Sequence, residues 1–182
     1  NSLKTTCSMQ EWCGTKLLQL NARDSHYKAT SFSYFEGEGD QMTDIKKTLL
    51  EDEIFNLIRL DPSFLKTGEI SIIPNSAYVQ LMHKELKTYD AKASLTDYTK
   101  RDLSGKELKE YVVVIDVLQK SLNIVYENVY PYRIIRISES YPSAFDGKTR
   151  TTVAKLSKQK KIAYWSKNSL QDVNLRKDLG ID

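Results

Sequence analysis

The sequence predicts an α+β fold. It is read as a mainly antiparallel β-sheet, able to close into an open or half barrel, with one amphipathic helix packed on it and a short C-terminal helix. Strand-like runs follow one another directly instead of alternating with helices, which excludes a Rossmann or TIM arrangement. Only residues 43–58 carry apolar side chains at sustained helical spacing. A chain of 182 residues, 40% hydrophobic and 28% charged, can bury a core as a single domain, 1–182, without metal or disulfide.

Residues 3–20 read as extended, Asn21–Ser25 as a turn and His26–Phe35 as an alternating strand, which together make a hairpin. The acidic segment Glu36–Asp40 (EGEGD) ends it. Thr43 or Asp44 can then cap a helix on which Ile45, Leu49, Leu50, Ile54, Leu57 and Ile58 share one face. Asp61-Pro62 stops that helix, because proline disfavours helix in the residue before it. Strands are expected at 68–73 and 76–83 around a Pro74-Asn75 turn, and a more polar one at 84–98. The run YVVVIDVL, 111–118, is nearly all apolar, as a central strand covered on both faces requires. Further strands are expected at 121–127, 132–141, 148–156 and 161–165. A last helix, capped by Ser166 or Asn168, runs to Leu179 before Gly180.

Several functions are excluded at this level. No apolar run approaches the ~20 residues of a membrane-spanning helix. The nucleophile-elbow, phosphate-loop, zinc-protease and dinucleotide motifs are all missing. With His26 and His83 the only histidines, a multi-histidine metal site is impossible, and no cofactor or metal is expected. Cys7 and Cys13 can pair only if the chain reverses between them, since six residues of strand would separate their Cα atoms by ~20 Å. They read as two small buried side chains. Cys13 with His26, oriented by Asp24, is the one nucleophile–base pairing that can be constructed.

Charge is unevenly spread. Residues 1–146 hold 18 Lys and Arg against 21 Asp and Glu, hence −3; residues 147–182 hold nine against three, hence +6. The excess centres on Lys155, Lys158, Lys160 and Lys161, read as a solvated turn between two strands. No aromatic residue interleaves with these lysines and no nucleic-acid motif frames them, so no nucleic-acid partner is expected.

Two constellations suit binding more than catalysis. On a strand, Glu36, Glu38 and Asp40 would share one face with carboxylates ~7 Å apart, while Gly37 and Gly39 admit close approach. Such a row could meet a basic partner, hold Ca²⁺ or supply a glycosidase acid/base pair. Trp12, Phe32, Tyr34 and Phe35 in the first hairpin, and Tyr126, Tyr130, Tyr132 and Tyr141 in a later one, fill a core, an interface or an apolar pocket. Trp12, Glu36, Glu38, Asp40, Tyr130 and Tyr132 are the candidate ligand- or partner-binding residues.

SMQEWCG (Ser8–Gly14), QLN (Gln19–Asn21), SYFEGEGDQ (Ser33–Gln41), LDPSFLKTG, YPYRI (Tyr130–Ile134) and YWSKNSLQDVNLRKDLG (Tyr164–Gly180) resemble a family of lipoprotein-like bacterial envelope proteins. Members are often labelled "septum formation inhibitor Maf". The chain carries neither the S-x-x-R-type motif nor the strand–helix alternation of the Maf nucleotide pyrophosphatases, so the resemblance supplies no catalytic residues. It implies a bacterial cell envelope protein, periplasm-facing and outer-membrane anchored. The chain opens on strand-like sequence at Asn1 and is expected to be the later portion of a longer precursor, reaching the membrane through an anchor outside this chain. The function expected is non-catalytic binding of a lipid-like hydrophobic ligand or of an envelope protein partner. The alternative is a structural subunit of a multi-protein envelope complex, and the third reading is a hydrolase using the EGEGD carboxylates or Cys13.

Overall fold

The computed structural model describes residues 2–12 and 14–181. Four antiparallel strands, β1 (Lys4–Glu11), β2 (Gly14–Ala22), β3 (His26–Ser33) and β4 (Gln41–Lys46), form a sheet in chain order. A second sheet holds β5 (Leu49–Leu50), β6 (Gly68–Ile73), β7 (Tyr89–Asp97), β8 (Leu108–Ile115), β9 (Lys120–Glu127), β10 (Ile134–Pro142) and β11 (Thr149–Lys155). All its pairings are antiparallel except β5 with β6. The fold class is therefore the expected α+β, and the seven-stranded sheet curls into a half-barrel.

The helix α1 (Ile54–Leu60) packs against one face of that sheet. Its Ile54 and Ile58 are fully buried and join one core cluster with Ile72, Tyr111, Val113, Ile124 and Tyr126. Acidic residues in the preceding 3₁₀ turn, Glu51–Glu53, suit the positive end of the helix dipole. Pro62 ends the helix as expected. A second cluster, Leu20, Tyr27, Ala29 and Ile45 from the first sheet with Leu50 and Ile73 from the second, joins the two sheets.

Four local expectations need correction. The segment 43–46 is not the start of a helix but part of β4. There Ile45 faces inward and pairs with Tyr27, and the apparent helical spacing from Ile45 to Ile58 runs across a strand, a turn and a helix. Residues 76–83 are not a strand: α2 spans Ser76–Leu81, and Asn75 caps it by accepting the Tyr78 N–H at 2.7 Å. The stretch 3–20 is two strands joined at Trp12, not one. Residues 161–165 find no sheet partner, and Tyr164–Ser166 forms a 3₁₀ turn; the last helix, α3 (Asn174–Asp178), follows a 3₁₀ turn capped by Ser169.

Candidate functional site

The EGEGD segment is a turn, not a strand, closed by Glu38 and Gly39 N–H groups donating to the Phe35 carbonyl at 3.0 Å each. Its three carboxylates consequently do not share a face. Glu36 and Asp40 are exposed, whereas Glu38 turns inward onto Lys16. Lys16 occupies the inward spacing of β2 with Leu18 and Leu20, so its ammonium is buried and requires partners. It lies 2.8 Å from Glu38 Oε2 and donates to the Gln80 carbonyl at 2.9 Å, with the Phe35 ring beneath it. Ser33 Oγ donates to Glu38 at 2.7 Å, and His83 Nδ1 contacts the other carboxylate oxygen. Burial acts to raise the Glu38 carboxyl. Hydrogen bonds from Lys16, His83 and Ser33, together with the Lys16 charge, outweigh it and hold the carboxyl at about 2.

His83 stands just past the end of α2 with φ of 49°, a left-handed cap position that glycine ordinarily fills. Lys84 N–H returns to the Val79 carbonyl at 3.0 Å, which closes the cap. The imidazole meets the Phe35 ring edge-on, centroids 4.9 Å apart, so the histidine ties the β3–β4 turn to the end of α2.

This tie borders a cleft of about 350 Å³ between the inner face of β2–β4 and the end of α2. Leu18, Ala29, Val79 and Leu86 contribute apolar wall, and Lys16, Glu38, His83 and Gln41 contribute polar wall. The Lys16–Glu38–His83 contacts tie the β3–β4 turn, on one wall of the cleft, to the end of α2 on the other.

Of the other candidates, Trp12 is fully exposed at the β1–β2 turn, at the same end of the sheet as EGEGD. The two turns touch through Gly14, over which the Tyr34 ring lies. Tyr130 and Tyr132 sit instead on the β9–β10 connection of the half-barrel, with ring centroids 6.1 Å apart. Tyr132 packs on the core while Tyr130 is exposed. The structure thus gathers Trp12 with the acidic turn and places the tyrosines on the other sheet.

The basic C-terminal segment is not a turn between two strands. Lys155 ends β11, and Lys158, Lys160 and Lys161 follow in exposed chain, with Lys160 paired to Asp178. No residue from Thr149 to Ile181 is buried, although the segment carries Tyr164, Trp165 and Leu170.

Cys13 lies outside the described residues, and with it the proposed pairings to Cys7 and His26. Cys7 is half-buried on β1; burial, then the Asp52 charge, pushes its thiol up. His26 faces Asp44 at 3.6 Å. Among the described residues no group of three or more His, Cys, Asp or Glu side chains could hold a metal ion, and no helix is long and apolar enough to cross a membrane.

Sequence reasoning missed one constellation altogether. Lys120, almost fully buried at the start of β9, lies 2.5 Å from Glu51 and 2.6 Å from Glu139, above the Tyr78 ring. Asn75 bridges both carboxylates at 3.0 and 2.8 Å. Burial pushes the Glu51 carboxyl up, against the Lys120 ammonium. The signal was present: Lys120 precedes Leu122, Ile124 and Tyr126 at a spacing of two, so it had to face inward. Lys16 before Leu18 and Leu20 carries the same signature.

No family model, no curated protein and no solved structure matches this chain.

Proposed function

We propose that the chain is a non-catalytic protein of the bacterial envelope that binds a partner protein through its C-terminal arm, as a subunit of a larger assembly. One observation carries this reading: residues 149–181 contain no buried side chain, yet expose Tyr164, Trp165, Leu170 and Val173 along a basic stretch. Apolar side chains displayed on one segment mark a contact surface, because their burial against another chain is favourable. A net +6 over residues 147–182 suits an acidic partner surface. An enclosed lipid-like ligand is the less favoured form of the expectation, since α1 packs its Ile54 and Ile58 into the core of the seven-stranded sheet. The envelope location rests on the family resemblance, and membrane fractionation of source cells tests it.

The binding reading is tested by native mass spectrometry of the protein gently extracted from source membranes, compared with a Trp165→Ser/Leu170→Ser variant. The native chain is expected to carry stoichiometric partner chains that the variant loses, with the melting temperature unchanged. A variant that retains the partner, or a native chain that emerges alone, contradicts it.

A further inference from the structure

Strand β4 is the last strand of the first sheet, so one of its edges is open. The ladder fixes which backbone groups face outward. Lys47 N–H donates to the Ser25 carbonyl at 3.0 Å, immediately beyond the β3–β4 pairing. In an antiparallel ladder hydrogen-bonded pairs alternate with non-bonded ones. Ile45, Thr43 and Gln41 therefore bond β3, whereas Met42, Asp44 and Lys46 turn their N–H and C=O groups outward. Such a row is a template for another strand.

The surroundings of this edge are built on both sides. Thr43 borders the 350 Å³ cleft on the inner face and also a depression on the outer face, so the backbone between them is open. The inner cleft offers Leu18, Ala29, Val79 and Leu86 to side chains entering beside β4. The outer depression offers Arg23, His26 and Lys28 against the single carboxylate of Asp44.

We propose that this edge binds an extended segment of a partner protein as an added strand, with apolar side chains turned into the cleft and acidic ones turned outward. Period-two alternation delivers that pattern to the two faces, the backbone bonds give affinity, and the two depressions give specificity. The Lys16–Glu38–His83 tie keeps the cleft preformed, which lowers the ordering cost of binding. The inference rests on the partner-binding reading above but uses a different surface, so the two fail separately.

The probe is an acetylated heptapeptide alternating Val and Glu, titrated into the full chain by fluorescence anisotropy, with hydrogen exchange of residues 41–46 followed in parallel. Saturable binding with slowed exchange at Met42 and Asp44 is expected. A Val/Lys peptide should bind about tenfold more weakly or worse. Asp44→Pro should abolish binding, although it removes an acidic side chain, because it deletes an outward N–H and leaves the β3 bonds in place. Asp44→Ala keeps the N–H and should retain binding, and unchanged melting of both variants shows that the fold survives. Absence of binding, equal binding of the Val/Lys peptide or full binding by Asp44→Pro overturns the proposal. So does a dimer of the purified chain that Asp44→Pro dissolves, which would give the edge to a second copy. If the arm variant loses its partners while the peptide fails to bind, only this inference falls.

Discussion

Lys120 Nζ lies 2.5 Å from Glu51 Oε1, and both side chains are almost completely withdrawn from solvent although 69 residues separate them in sequence. The pair locks the start of β9 to the turn that launches α1, and Asn75 extends the lock to the cap of α2. Removing one partner strands the other charge in the interior. Lys120→Met is predicted to cost about 3–5 kcal/mol, and adding Glu51→Gln should recover part of that loss. Urea unfolding of the single and double variants measures both.

Glu38 gives the fold a pH dependence of definite sign. Its carboxyl is held at about 2 against an ordinary 4.5, through Lys16, His83 and Ser33 outweighing burial. A group depressed in the folded state stabilises above its unfolded value, and that contribution fades as pH falls toward the folded value. The melting-temperature difference between the native chain and Glu38→Gln should therefore be full at pH 5 and above, shrink below about 4.5 and vanish near 2. A difference that is constant over this range contradicts the assignment.

His83 adopts a left-handed backbone that costs a side-chain-bearing residue about 1 kcal/mol and glycine almost nothing. In the native background, the gain from His83→Gly should be offset by loss of the Glu38 and Phe35 contacts. In a Glu38→Gln background, the same change should raise stability. A double-mutant cycle by thermal unfolding separates the two contributions.

Readability from sequence followed the range of the interactions involved. The strand over 111–115 is legible because its apolar run needs no partner to be interpreted; β8 begins earlier, at Leu108, and ends at Ile115, and residues 116–118 of the expected strand form a 3₁₀ turn with Val117 exposed. The helix ended where Pro62 dictates, a purely local effect. Its start is not legible, because Ile45 and Leu49 happen to continue the spacing of Ile54 and Ile58, while the pairing of Ile45 with Tyr27 is a tertiary fact. Pro74-Asn75 is a turn signal in sequence, and in the structure the Asn75 side-chain oxygen serves as a helix cap. Glu38 stands out in sequence only as one of a row of carboxylates; its partners Lys16 and His83 lie 22 and 45 residues away, beyond any local pattern.

Gly14 is required by two constraints at once. Its φ is 151°, and a Cβ there would stand 2.3 Å from Tyr34 Cγ. Gly14→Ala is predicted to destabilise by about 1–3 kcal/mol. Tyr34→Ala in the same chain should recover only part of the steric cost, because the Tyr34 Cβ stays 2.6 Å from the added methyl; Tyr34→Gly should recover the rest and leave the backbone part, as thermal unfolding of the four variants would report.

On the proposed function, residues 156–181 beyond β11 form a contact surface that contributes little to the fold. Hydrogen exchange over residues 156–181, measured on the purified chain and on the assembly extracted from the envelope, tests it most directly. Rapid exchange in the isolated chain, slowed about tenfold or more in the assembly, is the predicted result. Equal exchange in both states, or an arm already protected in the isolated chain, would contradict it.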